Sequence, residues 1–505
     1  MEKFLYESKI KKDPKLNAIF AFPAIENFAM SSIGYLSIFK SLDEMEDVFV
    51  ERYYSNSKNT ITPIQKVDII GFSFSFEMDI FQIIKMLEKL KIPLLAKDRN
   101  ENHPIIFVGG PVSTSNPLPF EEFFDFFNIG DSNIPNVVRN LIENKDKTKE
   151  EKLASIKDIK GIWVPQFGKE EIIERYIEDI KEPTSTPILS DKSYFANTYI
   201  IEVERGCPKM CKFCLASWHN LPFREGNLEQ LKSKINYALE HTNKIALLGA
   251  YVAGHKDFDD IMSFIREKNK INPIEISISS LRADLVTKET IEALVECGAK
   301  SATIAIEAGS EKLRKEINKD LTNEEIEATF ECATKYGLKG LKVYMMVGLP
   351  NETDDDIKEI VELLKKLKKK HKTLDLSVSL NTLIPKPHTP YELIKRENKK
   401  SLEKKINYIK KHLHILGIKL NPTSVDWDGV QSLISRYPKS LAEYLICVHK
   451  EGAKLGAFKS CWKNFAKKYN LKKYDEAIEF PFENVLDKNN KLPWYFIKIN
   501  NLKEN

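Results

Sequence analysis

Apolar positions in the first part of the chain gather into short unbroken runs: LNAIFAFP at 16–23, VDIIGFSFSF at 67–76 and PIIFVGGP at 104–111. Runs of this length, stopped by proline, glycine or polar residues, mark strands buried on both faces. Between them, residues 33–42 and 79–90 carry apolar side chains at helical spacing, so strand and helix alternate. That alternation predicts a doubly wound parallel sheet of Rossmann-like type. Ligands in such sheets sit at the carboxyl ends of the strands. Segments 21–34, 73–79, 109–119 and 129–133, which follow the predicted strands, are rich in small, polar and glycine residues.

Residues 144–160 are charged and helix-like, and 161–194 are broken by Pro165, Pro183 and Pro187, the composition of a linker. Beyond it a unit of roughly 30 to 40 residues recurs, each a short apolar strand and then an amphipathic helix. The strand candidates begin at Thr198, Lys244, Ile274, Ser301, Leu341 and Leu374. Six such units predict a partial (β/α)6 barrel of TIM type rather than the closed eightfold form. Thr322 and Thr353, each followed by acidic residues, read as helix N-caps. After Pro390 the pattern turns helical, at 401–417 and 440–456, and Trp462, Phe465, Trp494 and Phe496 read as packing surface. The expected organisation is a sheet domain over 1–145, a linker over 146–194, a barrel over 195–395 and a mainly helical module over 396–505.

With 505 residues, 42% apolar and 30% charged, the chain is neither disordered nor fibrous. Its 77 basic and 73 acidic residues leave a formal charge of +4, and the lysines lie scattered among glutamates, so no nucleic-acid partner is expected. The opening MEKFLYESKIKKD has no apolar core, and no uncharged run reaches membrane-spanning length. Seven cysteines in this length do not make a disulfide framework. A reducing, cytoplasmic setting is the expectation. Cys297, Cys332, Cys447 and Cys461 are isolated in apolar helix patterns and read as small buried hydrophobes.

The chemistry concentrates in VERGCPKMCKFC at 203–214, which sets Cys207, Cys211 and Cys214 directly after the first barrel strand. Three thiolates from one tight loop can converge on one metal centre, and soft thiolate suits an iron-sulfur cluster or zinc. A cuboidal cluster has four irons, so three cysteines leave one iron open to a ligand that is not protein. The alternative is structural zinc with His219 as fourth ligand. Trp218, His219 and Arg224 either line a substrate mouth or pack under the loop. His388 in PKPHTP is either an acid-base group near the sixth strand or a structural loop residue. No phosphate loop, paired-carboxylate hydrolase site or Ser-His-Asp arrangement is evident.

On Cys207, Cys211 and Cys214, with Phe213 before the last cysteine and a six-unit βα array behind, the sequence resembles the radical S-adenosylmethionine superfamily. The resemblance implies a [4Fe-4S] cluster on the three cysteines, with its unique iron binding the amino and carboxylate groups of S-adenosylmethionine. Reductive cleavage of the sulfonium then yields a 5′-deoxyadenosyl radical that abstracts hydrogen from substrate. It implies cofactor contacts at Phe213, at Gly249 after the second strand, at Ser280 and Arg282 after the third, at Glu307 ending the fourth, and at Arg314 in the next helix. The acidic residue that the family places in the turn after the second strand is absent from Gly249-Ala250. MMVGLPNET at 345–353 resembles the glycine loop beneath adenine, with Gly348 and Pro350 shaping backbone.

The segments AFPAIENFAMSSIG, GFSFSFEMD, GGPVSTSNPLPFEEFFD and NIGDSN resemble the cobalamin-binding-type domain that precedes the barrel in one large class of the superfamily. IPKPHTP at 384–390 and the tail at 423–445 are similar to that class too. This implies cobalamin contacts from Glu26, Met30, Ser73, Ser75, Glu77, Gly110, Pro111, Gly130 and Asp131. The Asp-x-His-x-x-Gly motif is missing, and the first histidine is His103, so Glu26, Asn27 or Met30 would face the lower side of cobalt. Methylthio-transferring relatives use further cysteines in an amino-terminal domain, and residues 1–206 have none. The implied activity is cobalamin-dependent methylation of an unactivated carbon, served by an electron donor such as ferredoxin or flavodoxin. Rivals are a cobalamin-associated rearrangement, ring closure or carbon-carbon bond formation without methyl transfer, and a non-catalytic iron-sulfur or zinc scaffold. Peptide, lipid and small-metabolite substrates all remain open.

Overall fold

The computed structural model describes residues 2–8, 11–169, 171–482 and 491–499. The chain divides into two compact units, one formed by Met1–Glu178, Thr186–Asn197 and Leu433–Asn505, the other by Asp179–Ser185 and Thr198–Ser432.

The first unit is built on β1 (Leu16–Phe22), β2 (Val48–Tyr54), β3 (Ile69–Ser73), β4 (Ile105–Gly109), β5 (Phe126–Asn128) and β6 (Ile162–Trp163). Their order is β2-β1-β3-β4-β5-β6, parallel throughout except for β6, which runs antiparallel to β5. Helices α1 (Ile33–Asp43) and α3 (Ile134–Glu143) share one core with the sheet, while α2 (Ile80–Lys89) lies between them in sequence. Tyr35 of α1 stacks on Phe20 of β1 at 5.0 Å, and Phe107 stacks on Phe126 at 4.9 Å. The pattern of apolar runs missed β2, because Glu51 and Arg52 interrupt it. Both charges are answered: Glu51 accepts from the backbone of Ile61 and Thr62, and Arg52 pairs with Glu2 at 2.6 Å.

The last seventy-odd residues belong to this first unit and not to a separate module running from residue 396. Helices Ala442–Lys450 and Leu455–Tyr469 find their apolar partner in α2, where the Phe81 and Phe458 rings meet edge to face at 5.4 Å and His449 meets Glu88 at 2.9 Å. A disulfide joins Cys447 to Cys461 across this helical pair, with Cα atoms 5.9 Å apart. The two cysteines are therefore partners rather than isolated hydrophobes, since the turn between the helices brings positions 14 apart in sequence face to face. Trp462 and Trp494 are fully buried packing residues.

The second unit carries β7 (Tyr199–Glu202), β8 (Lys244–Leu248), β9 (Glu275–Ile278), β10 (Ser301–Glu307), β11 (Gly340–Val347) and β12 (Asp375–Thr382). Helices α4 (Leu228–Leu239), α5 (Phe258–Ile271), α6 (Lys288–Glu296), α7 (Asn323–Lys335) and α8 (Asp354–Lys370) separate them, and α9 (Lys399–Ile415) follows. All six strands run parallel, with a bridge from Leu281 to Ile304 joining the first three to the rest. A short seventh strand, β13 (Lys419–Pro422), pairs parallel with β12. Its exposed side chains hide it from a reading based on apolar runs. Thr322 and Thr353 cap α7 and α8, each reciprocated by an acidic side chain three residues on. The fold is thus α/β: a doubly wound sheet, a partial barrel and a helical carboxyl-terminal part. Among the described residues no helix is long and apolar enough to cross a membrane.

Candidate metal centre and cofactor site

After β7 a two-residue ladder pairs Glu204–Arg205 with Arg224–Glu225, and between these arms lie the cysteine loop and the short helix Leu215–His219. The loop is held by its backbone. Asn318 donates to the carbonyls of Lys209 and Met210 at 2.9 and 3.0 Å, and Lys212 N donates to Ile317 O at 3.0 Å. Trp218 Nε1 donates to Cys211 O at 3.0 Å, which gives this indole a structural part in the loop. Cys207 and Cys211 are buried and Cys214 is partly exposed. Burial raises the Cys207 thiol and pushes Cys211 up to about 11. Metal binding replaces those protons.

Thiolates around one tetrahedral zinc at about 2.3 Å stand roughly 3.8 Å apart, whereas a cube holding one iron per cysteine spreads them wider. Among the described residues, Cys447, Glu451 and Cys461 form the set of three donors within 4.8 Å of one another, and two of these are disulfide-bonded. Cys207, Cys211 and Cys214 are spaced more widely, and His219 is buried with its Nε2 against Pro387 O at 3.0 Å. The donor set fits a [4Fe-4S] cluster. His388 packs its ring at 5.9 Å from that of His219, and its backbone N–H donates to Glu392.

Charged groups surround Cys211. Glu307 ends β10 with φ +74° and pairs with Lys319 at 3.4 Å. Arg282 donates to Lys319 O at 2.7 Å and to Asp284 at 2.9 Å, and Lys209 reaches Asp284 at 3.5 Å. Arg282 and Glu307 are 7% and 9% exposed, so the structure brings these two expected residues together beside the thiols. Phe213 packs against the apolar cluster that includes Leu313, Ile317, Met346 and Leu349.

Arg314 and Ser280 differ in how they are presented. Arg314 is 0% exposed and donates to Leu321 O, Ala308 O, Gly309 O and Asn323 Oδ1 at 2.6–3.0 Å. Its guanidinium holds the turn after β10 and has no face left for a ligand carboxylate. Ser280 is exposed, while the neighbouring Ser279 hydroxyl donates to Gly249 O at 2.7 Å.

Sequence reasoning passed over Glu204. Its carboxylate is 1% exposed and accepts from Tyr251 N at 2.5 Å. Burial, reinforced by Glu202 and Glu225, pushes it up to about 7. Oε2 has no hydrogen-bond partner among the described residues. Gly249 makes the arrangement possible, because a Cβ there would run into this carboxylate. The chain therefore sets an acid against the turn where the motif after the second strand lacks one. The signal in the sequence was a glutamate three residues before Cys207 in an otherwise inward-facing position.

At the first sheet, the loops after β1 and β3 flank the point where strand order reverses. Met30 is not presented there: it is 3% exposed and its sulfur accepts from Arg52 Nη1 at 3.1 Å. Glu26 pairs with Lys192 at 3.3 Å. Gly110 and Gly130 have φ of +126° and +88°, and a Cβ on either would meet backbone oxygen, of Phe74 and Tyr176 respectively. Both glycines let one stretch of backbone approach another closely. Asp131 accepts from Glu178 N at 2.8 Å, Pro111 opens the short helix Pro111–Ser115, and Glu77 is buried. Ser73 ends β3, and Ser75 is exposed just beyond it. What this edge does expose is apolar: Ile25, Phe28, Phe76, Tyr194 and Phe195, with Phe28 and Tyr194 stacked at 5.7 Å. Loops 23–32 and 74–79 contain no histidine.

Comparison with known proteins agrees with this geometry. The family described as the radical SAM superfamily matches residues 201–364, and the one described as radical SAM proteins, N-terminal, matches residues 34–165. An uncharacterized protein of Methanocaldococcus jannaschii, MJ0966, is 30% identical over 438 residues, covering 85% of this chain and 90% of that one. Among solved structures, the radical S-adenosylmethionine methyltransferase TsrM of Kitasatospora setae, with cobalamin and a [4Fe-4S] cluster bound, aligns with a TM-score of 0.51 at 12% identity. That alignment covers 75% of this chain and 77% of TsrM. OxsB, a cobalamin-dependent S-adenosylmethionine radical enzyme, gives 0.53 at 17% identity over 93% and 77%. Those two likenesses concern the fold. The thiol loop at the mouth of the barrel, the matched families and the near-full-length relative together place this chain in the radical S-adenosylmethionine superfamily, whose members hold a [4Fe-4S] cluster and S-adenosylmethionine.

Proposed function

We propose that this chain is a cytoplasmic enzyme that cleaves S-adenosylmethionine reductively and uses the radical for cobalamin-dependent methylation of an unactivated carbon. When bound, the cluster and one S-adenosylmethionine supply a 5′-deoxyadenosyl radical, and cobalamin, recharged by a second S-adenosylmethionine, supplies the methyl group. The observation that carries the reading is the three-thiol loop of Cys207, Cys211 and Cys214, bordered by buried charge of both signs. Arg282 and Lys319 are buried cations, and Glu307 and Glu204 buried carboxylates; these would hold the carboxylate and amino ends of a zwitterionic amino-acid moiety. Ala308, Met346, Leu349 and Leu383 form an apolar cluster beside Phe213 that excludes water from this side. Support for cobalamin comes from the exposed apolar edge at Phe28, Phe76 and Tyr194.

Anaerobic reconstitution with iron and sulfide, then S-adenosylmethionine and a ferredoxin- or flavodoxin-type reductant or dithionite, tests the proposal. The expected result is about four irons and four sulfides per chain, cobalt after incubation with cobalamin, and 5′-deoxyadenosine, with Cys211→Ala losing cluster and cleavage together. An intact cluster without deoxyadenosine would overturn the radical assignment. A product lacking one added methylene, without S-adenosylhomocysteine, would replace methylation by a rearrangement or ring closure.

A further inference from the structure

The helices Ala442–Lys450 and Leu455–Tyr469 of the first unit meet along one stripe of side chains. Glu443 pairs with Lys468 at 2.6 Å and accepts from the Tyr469 hydroxyl at 2.8 Å, Cys447 is bonded to Cys461, and Ser460 donates to Glu451 at 2.5 Å. Positions 443, 447 and 451 lie four apart, on one face of the first helix and its C-cap. At the turn end of this stripe the two sulfurs and a carboxylate oxygen of Glu451 stand within 4.8 Å of one another.

The three donors differ in burial in a way that suits an ion arriving from solvent. Cys461 is 2% exposed, Cys447 is partly buried and Glu451 is exposed, so protein closes one side of the group and water reaches the other. Among the described residues Glu451 pairs with no cation, and its side-chain hydrogen bond comes from the neutral Ser460 hydroxyl. That bond orients the carboxylate while its charge stays available to a ligand, the part an outer-shell group plays at a metal. The disulfide excludes an ion while it stands. Its sulfur at Cys447 is open to attack by a thiolate, and an enzyme driven by low-potential electrons works where dithiols keep such bonds reduced. This last step rests on the function proposed above; the binding itself does not.

We propose that reduction turns this pair into a site for zinc, held by Cys447 Sγ, Cys461 Sγ and one oxygen of Glu451. A dithiol delivers two electrons and two protons to the S–S bond and closes into its own disulfide. Zinc then replaces the two thiol protons, which leave to solvent. With Cα atoms 5.9 Å apart, rotation of the side chains sets the sulfurs at the roughly 3.8 Å that tetrahedral zinc requires. Two thiolates favour zinc over magnesium or calcium, and three protein ligands leave the fourth position to water. The ion restores the link between the two helices that reduction removes, so the hairpin is pinned in both redox states.

The test uses the cluster-loaded full chain, whose loop cysteines are then occupied, kept anaerobic and free of S-adenosylmethionine. It is dialysed against zinc chloride before and after treatment with a phosphine, which takes oxygen from water and leaves two thiols. Reduction is expected to add one zinc per chain, with two sulfur ligands at about 2.3 Å by X-ray absorption, and to make the melting temperature rise with zinc. Cys461→Ser should abolish the added zinc, with Cys447→Ser in its place where that variant does not fold. Glu451→Gln, at an exposed position, should weaken it by about tenfold or more. Equal zinc before and after reduction, or added zinc that survives loss of either cysteine, would overturn the site. Undiminished affinity in Glu451→Gln would overturn the three-donor set and leave a bare dithiol. Failure to form deoxyadenosine, which counts against the radical reading, leaves these zinc measurements unchanged.

Discussion

Replacing Glu204 with glutamine isolates the cost of a buried carboxylate beside the metal loop. The native protein holds this group at about 7 against an ordinary 4.5, a separation worth at most about 3 kcal/mol. Between pH 4.5 and 7 the native state binds more protons at this site than the unfolded state, so stability falls as pH rises. The penalty is absent below 4.5 and complete above 7. Glutamine carries no charge, keeps an acceptor for Tyr251 N, and adds a donor where Oε2 lacked a partner. The variant should therefore exceed the parent by up to about 3 kcal/mol near pH 8 and match it near pH 4.5. Urea unfolding of the cluster-free protein across this range, followed by hydrogen exchange within residues 198–432, separates the barrel's transition from that of the first unit. A difference that does not change with pH, or a glutamine variant weaker throughout, would show that Glu204 is ionised and paired, and would refute the reasoning.

Gly249→Ala drives a methyl into the Glu204 carboxylate. It should cost about 1–3 kcal/mol in the same unfolding assay, with much of the loss recovered when Glu204→Ala is added. Arg314→Lys keeps the charge but cannot reach four oxygens at once; about 3 kcal/mol or more of stability should go, while S-adenosylmethionine affinity of the folded fraction, by equilibrium dialysis, stays unchanged. Breaking the Cys447–Cys461 link with Cys461→Ser opens a loop with a separation of 14 residues and should remove about 3 kcal/mol, with the variant's melting temperature then insensitive to dithiothreitol. Phe28→Asp, at a side chain 52% exposed, should leave folding intact and reduce cobalt retained after cobalamin loading and gel filtration.

Much of the architecture was legible in the sequence because it rests on local periodicity. The six barrel strands and strands β1, β3 and β4 of the first sheet declare themselves as apolar runs, and the cysteine triplet declares its chemistry by spacing on one loop. Hydroxyl caps at Thr322 and Thr353 act within a single helical turn, so a one-dimensional reading suffices for them too. Strands β2 and β13 escaped because charged or exposed side chains break the pattern, and their stability comes from neighbours distant in sequence, such as Glu2 for Arg52.

Other properties depend on which surfaces meet in three dimensions. Sequence assigned Arg314 and Met30 by position in a motif, but only packing shows that one guanidinium is enclosed by carbonyls and one sulfur turned toward Arg52. The carboxyl-terminal helices join the first unit because α2 offers the apolar face they need, and that docking also juxtaposes the two cysteines of the disulfide. The order of residues determined the elements and the thiolate chemistry of this protein. Tertiary structure decided which charges are buried, which glycines face a backbone, and which carboxylate stands against Gly249, since desolvation and steric exclusion act between segments that the chain brings together only on folding.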